Sequence, residues 1–147
     1  MTGLRRFAGY LWASPNTALG LLLWPLALLP GGRAQVVDGV LELWGPPYAW
    51  FLRSFTGLAG GADAMTLGHV VLARSAEAHE RTRLHERVHV WQCCALGPLF
   101  LPAYGLSSLW CLCRRRHPYL DNAFERHARR VEREQRLLPP TRAPLRS

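Results

Sequence analysis

The chain has 147 residues, 18 of them basic and 10 acidic, which gives a net charge of +8 with its six histidines neutral. That length holds one modest domain and leaves no room for two comfortable ones. Its four cysteines, Cys93-Cys94 and Cys111-x-Cys113, sit inside apolar segments, which excludes the loop-spaced pattern of a disulfide scaffold and predicts free thiols.

Every basic residue is arginine, and position matters more than number. Arg5 and Arg6 precede one apolar run, Arg114, Arg115 and Arg116 follow another, and Arg126, Arg129, Arg130, Arg133 and Arg136 line the C-terminal segment. Basic clusters abutting apolar runs point to membrane lipid, on the cytoplasmic side by the positive-inside rule. No stacking aromatics are interleaved with the arginines and no nucleic-acid motif is present, so no nucleic-acid partner is expected.

Taken in order, Phe7 to Gly32 carries no charge and is long enough to cross a bilayer, although Ser14-Pro15-Asn16-Thr17 interrupts it and Pro25 would kink it. Without a small-x-small cleavage site after the apolar part, residues 1–33 are expected to form a retained hydrophobic anchor, with Tyr10, Trp12 and Trp24 suited to the headgroup belt. A hairpin follows around Asp38-Gly39 and closes at Pro46-Pro47; Trp50–Phe55 is ambiguous. Met65–Ala73 is β-branched and apolar and reads as a single strand, with Arg74–Glu80 as a connection. A helix is expected from about Arg81 to Leu96, broken by Gly97-Pro98, and a second, apolar one over Leu99–Cys113. A third helix begins near Asp121, the expected N-cap, and runs to about Leu137 before Pro139-Pro140 opens a tail. The fold class is therefore α+β, with an anchor over 1–33, a domain over 34–137 and a disordered tail over 138–147.

The chemistry lies in His85-Glu86-Arg87-Val88-His89. Four residues is about one helical turn, so both imidazoles share a face and reach one tetrahedral ion at about 2.0–2.1 Å. Glu86 projects beside them, free to take a proton from water instead of occupying a coordination position. With six histidines and seven glutamates, this pattern arises by accident on the order of once in a hundred such chains. The bland alternative is a pair of satisfied core histidines; two at metal spacing with an acid between them favour Zn2+.

A third ligand is required. Glu125, at the start of the third helix with Phe124 beside it, is the foremost candidate, ahead of His117 and His69; His79, His127 and Asp121 complete the list. Asn122 and Asp121 are candidates to cap that helix or orient a ligand, Gln92 lies on roughly the same face as His89, and Tyr104 and Tyr119 are candidate electrophiles.

The HERVH motif followed downstream by Glu125 in Asn-Ala-Phe-Glu resembles the gluzincin class of zinc metallopeptidases. Through TLGHVVLA, HERVHVWQ, GPLFLPAY and DNAFE the chain resembles more closely a small group of uncharacterised bacterial proteins that look like minimal membrane-associated zincins. The resemblance covers roughly residues 65–128. It implies a zincin-like core in a bacterial membrane, zinc on His85, His89 and Glu125, Glu86 as general base, and a peptide or protein substrate. Arg129 stands where gluzincins of the Glu-x-x-x-Asp type carry an acid. The competing expectation is a non-catalytic, zinc-stabilised membrane or scaffold protein; the third is a basic membrane-surface protein without metal.

Overall fold

A computed structural model describes residue 9, residues 11–57 and residues 60–137. Arg5, Arg6, Tyr10 and the tail expected over 138–147 lie outside the described residues. The architecture is α+β, built on a four-stranded mixed sheet of order β1-β2-β4-β3.

β1 (Arg33–Val37) and β2 (Val40–Trp44) form the expected hairpin. Asp38 and Gly39 both have positive φ, 52° and 79°, as the two centre positions of a type I′ turn require. Helix α1 is Ser14–Leu21, followed by a 3-10 turn over Trp24–Leu28; α2 is Pro46–Phe55, which settles the ambiguous stretch as a helix entered through Pro46-Pro47.

The single strand expected over Met65–Ala73 is a hairpin instead: β3 (Ala64–Leu67) and β4 (Val70–Ala73) pair antiparallel across Gly68-His69. Gly68 has φ +64°, and a Cβ there would collide with the Thr17 backbone, so glycine is required twice over. β4 then runs parallel to β2, from which it is reached by way of α2 and β3.

Side chains alternate across this sheet. Leu43, Val70 and Leu72 face α2, packing with Tyr48 and Leu52. Val40 and Val71 face the other way, onto Val90 of helix α3 (Ala76–Leu96). Helix α3 begins five residues before the expected Arg81, because Ser75 is an N-cap: its Oγ accepts from the Ala78 N–H at 3.1 Å. Glu42, fully buried on β2, ties the helix to the sheet through His79 (2.6 Å), Arg87 (2.9 Å) and Arg83 (3.3 Å), three positions spaced by single turns.

Gly97, with φ +56°, ends α3 and redirects the chain into α4 (Phe100–Cys113). Helix α5 is Ala123–Leu137. Its cap is Asn122, whose Oδ1 accepts from the Phe124 N–H at 2.9 Å, and not Asp121, which accepts from the His117 N–H. Asn122 Nδ2 also donates to Tyr104 O and Ser108 Oγ, which fixes the start of α5 on α4.

Among the described N-terminal residues, 9, 11 and 12 are helical, Ala13 is a turn, and a 3-10 turn follows α1. Ser14-Pro15-Asn16-Thr17 starts α1 instead of interrupting a longer rod, and its polar groups dock inward. Asn16 Nδ2 donates to Gly97 O at 2.7 Å, and Thr17 Oγ1 accepts from the His69 N–H at 3.0 Å. Ala13 joins Cys93 and Phe100 in a core cluster, so packing crosses the boundary drawn at residue 33. Helix α1 itself is about 12 Å long.

Among the described residues, one helical run, Ala76–Cys113, is long and apolar enough by length and composition to cross a membrane. Its most apolar window is only 17% buried. The outward face of α4 presents Leu106, Leu109, Trp110 and Leu112, and the Arg114 guanidinium lies over the Trp110 ring at 4.6 Å. Leu11, Trp12, Leu19, Leu22 and Trp24 are exposed as well. Of the four thiols, Cys93 and Cys111 are buried, Cys94 is partly covered and Cys113 is exposed; none is in a disulfide.

Candidate metal centre

Helix α3 presents different faces to different neighbours. His79, Arg83 and Val90 turn to the sheet, while His85, His89 and Gln92, a further 100–200° around, turn to α5. Glu125 comes from the first turn of α5, directly across from them. His85 Nε2 lies 3.2 Å from Glu125 Oε2, His89 Nε2 lies 3.2 Å from Glu125 Oε1, and the two Nε2 atoms are 3.2 Å apart. All three residues are buried, and they form a group able to hold a metal ion.

The hydrogen bonds around this triangle determine what its corners offer. Gln92 Nε2 donates to Phe124 O at 3.2 Å, which turns Gln92 Oε1 to His89 Nδ1 at 2.8 Å; that nitrogen therefore carries the proton. His85 Nδ1 faces the Glu132 carboxylate at 3.4 Å, an acceptor that favours the proton on that nitrogen. Both Nε2 atoms are then bare lone pairs, and they converge with a carboxylate on one point. Three acceptors at 3.2 Å repel one another unless a cation lies among them. Ligands about 2.0–2.1 Å from a tetrahedral ion stand about 3.3 Å apart, which is the spacing observed. Without a metal, the cation is a proton. Burial opposes charging His89, but its contact with Glu125 outweighs this and raises its pKa above the ordinary imidazole value. Glu125 is likewise held well below the usual carboxylate range, burial being overcome by the two histidines.

Outer contacts hold Glu125 in turn. Tyr104 Oη donates to its Oε1 at 2.9 Å, and Arg129 Nη1 lies 3.6 Å from its Oε2. Burial first, then the nearby Glu125 charge, keeps the Tyr104 phenol protonated far above neutral pH. Tyr104 thus holds Glu125, and it also lines the cavity on the His89 side. Gln92, Glu132 and Tyr104 play the parts that orient metal ligands elsewhere. Of these, Glu132 was the one that sequence reasoning missed; its only signal is that it lies seven residues, two turns, beyond Glu125.

Glu86 stands outside the triangle. Its carboxylate accepts from Thr66 Oγ1 at 2.7 Å, so strand β3 fixes the acid beside the ligands. Thr66 was not singled out in the sequence, where it is one polar residue in an apolar run. The remaining candidates lie elsewhere. His117 Nδ1 accepts from the N–H groups of Tyr119 and Leu120 in an exposed turn. His69 sits in the β3–β4 turn, with Nε2 3.4 Å from Cys94 Sγ and Nδ1 3.4 Å from Thr17 Oγ1. His79 is paired with Glu42, and His127 Nδ1 lies 3.0 Å from Gln92 Nε2.

Two cavities meet at this centre. One, of about 430 Å³, opens on the His89 side and is walled by Met65, Leu67, Phe100, Leu101 and Tyr104. The other, of about 460 Å³, opens on the His85 side and is walled by Arg81, Arg129, Arg136, Asp63 and Glu132. Glu86 and Tyr119 border both. β3 is an edge strand of the sheet, and residues 64–67 line the first cavity.

No protein-family model matches the chain, and no curated protein or solved structure matches it.

Proposed function

We propose that the chain is a membrane-associated zinc hydrolase, a peptidase of minimal zincin type, with His85, His89 and Glu125 as metal ligands. The observation that carries this reading is the buried triangle of acceptor atoms 3.2 Å apart, two of them imidazole nitrogens whose opposite ring nitrogens are held as donors. When bound, zinc would supply a Lewis acid for a carbonyl oxygen and lower the pKa of a water towards 7.

The chain's own groups supply the rest. Glu86, aimed by Thr66 and facing both cavities, takes the proton of the attacking water and returns it to the departing amine. The free edge of β3 offers backbone N–H and C=O groups to an extended substrate. Tyr119, at the junction of the cavities, has its phenol pKa raised by burial and by Glu125, so it stays a donor at working pH. The apolar outer face of α4, followed at once by Arg114-Arg115-Arg116, fits a bilayer surface with anionic headgroups. At 14 residues, α4 is about 21 Å long, which suits lying in the interface better than spanning it.

One observation favours a non-catalytic zinc clamp as the second reading. Helix α5 buries only Glu125 and Ala128, so its attachment to α3 depends heavily on the centre itself. Metal content and hydrolysis separate the two. The purified chain should hold one zinc; Glu86→Gln should keep that zinc and lose turnover by about 10²- to 10⁴-fold, while His85→Ala should lose both. Zinc retained by a wild type that cleaves no peptide would leave the clamp, and a wild type that takes up no zinc on reconstitution would end both readings.

A further inference from the structure

The two cavities differ in chemistry, and the difference bears on the substrate. The wall on the His89 side is largely apolar, its polar groups being hydroxyls of Thr, Ser and Tyr and the centre's own Glu86, His89 and Glu125, and no arginine lines it. Three arginines line the His85 side.

Asp63, Glu86 and Glu132 line the same wall; Asp63 pairs with Arg81 and Glu132 with Arg136, whereas the ion pair of Arg129 is with Glu125. Asp63 accepts from both Arg81 (2.7 Å) and Arg74 (3.1 Å), so one carboxylate answers two guanidiniums. Arg136 pairs with Glu132 at 2.8 Å and also reaches Arg81 O at 3.3 Å, which brings the two side chains to one rim. Arg129 is the telling residue. Its carboxylate partner is Glu125, at 3.6 Å, whose negative charge is committed once a cation lies in the triangle. The guanidinium is held in place by a bond from Nη2 to Leu120 O and by the Tyr119 ring 6.0 Å away, yet a third of the side chain remains open to the cavity. A fixed, half-open arginine one step from the reacting point is suited to forked binding of a carboxylate.

We infer that the arginine-lined cavity is the anion subsite of this centre, so that the substrate carries an apolar group on the His89 side of the scissile bond and a carboxylate on the His85 side. This rests on the zinc hydrolase reading and adds to it the class of substrate. The carboxylate has two sources in a peptide, a free C-terminus or an acidic side chain, and the subsite chemistry is the same for both.

Zinc-chelating hydroxamate dipeptides sharing one apolar residue provide the probes. One bears a free C-terminal carboxylate, one an aspartyl side chain with an amidated terminus, and one is neutral and amidated. Their affinities for the zinc-loaded full chain in detergent are measured by calorimetry, with zinc per chain determined on the same samples. One or both anionic probes should bind about ten-fold or more tightly than the neutral probe, as a hydrogen bond to a charged group implies; which of them does so identifies the source. On samples brought to equal zinc content, Arg129→Gln should bring the ratio of anionic to neutral probe affinity close to one. Arg129→Lys should keep part of the preference, and Arg136→Gln, at the rim, should reduce it. Equal binding of all three probes to the zinc-loaded chain, or a preference that survives Arg129→Gln, overturns the subsite while leaving the zinc centre standing. A chain without zinc that binds none of the probes removes the centre and the subsite together, and the metal measurement tells the two failures apart.

Discussion

Stripping the metal and varying pH tests the centre most directly. In the metal-free protein the triangle is held by a proton on His89 facing an ionised Glu125. The pKa of His89 is raised, so its contribution is fully present below the imidazole's unfolded value of about 6.5 and is lost as pH rises through the folded value. That of Glu125 is depressed, so its contribution is present above about 4.3 and lost only as pH falls through its much lower folded value. The metal-free chain should therefore lose stability as pH rises above about 6.5 and through the raised His89 value, as three bare acceptors are left 3.2 Å apart. Zinc binding behaves in the opposite sense, because the metal must displace that proton. Each pH unit below the His89 pKa weakens zinc about ten-fold, or about 1.4 kcal/mol. At free zinc one hundred times Kd, the stabilisation is about 2.7 kcal/mol. For a chain near 150 residues this corresponds to a rise in Tm of about 5–11 °C. Thermal melts from pH 6 to pH 9, with zinc and with chelator, should show a gap that widens by about 3–6 °C per pH unit and levels off above the His89 pKa. A gap independent of pH, or an equal one with magnesium, would refute the proton-for-zinc exchange and with it this ligand set.

Tyr104→Phe removes the donor to Glu125 Oε1 while keeping the ring; zinc affinity should fall about 10- to 100-fold, read by competition with a chromophoric chelator. Glu42→Ala leaves Arg83, Arg87 and His79 without their shared carboxylate; because those arginines are partly solvated, denaturant melts should show a loss near the low end of the range for broken buried pairs, about 3 kcal/mol. Leu106→Asp with Leu109→Asp, both on the open face of α4, should leave Tm within a few degrees and move the protein from anionic vesicles to the supernatant in a flotation assay. Retention on the vesicles would show that α4 is not the membrane contact.

The local code was legible where one residue type enforces one conformation. Asp38-Gly39 marked the first hairpin, Gly97-Pro98 the end of α3, and the four-residue spacing of His85 and His89 placed two imidazoles on one face. Reading failed where a single glycine or serine outweighed the composition around it. Gly68 turned one expected strand into two, and Ser75 started α3 five residues before the charged stretch suggested. Asp121 and Asn122 are both good caps, and the choice between them rested on Nδ2 of Asn122 finding Tyr104 O and Ser108 Oγ on another helix.

The sequence by itself determined that two histidines and an acid share a helix, because that follows from 3.6 residues per turn and needs no partner. It could nominate Glu125 but could not separate it from His117 or His69, since residues on separate elements are brought together by packing alone. The tertiary structure sets the first turn of α5, with Glu125, across from His85 and His89, and places the other two histidines in turns with partners of their own. It also decided what surrounds the centre. Thr66 behind Glu86, Glu132 behind His85 and arginines on one side of the cleft are contacts between separate elements, and such contacts leave no periodicity in a chain read one residue at a time.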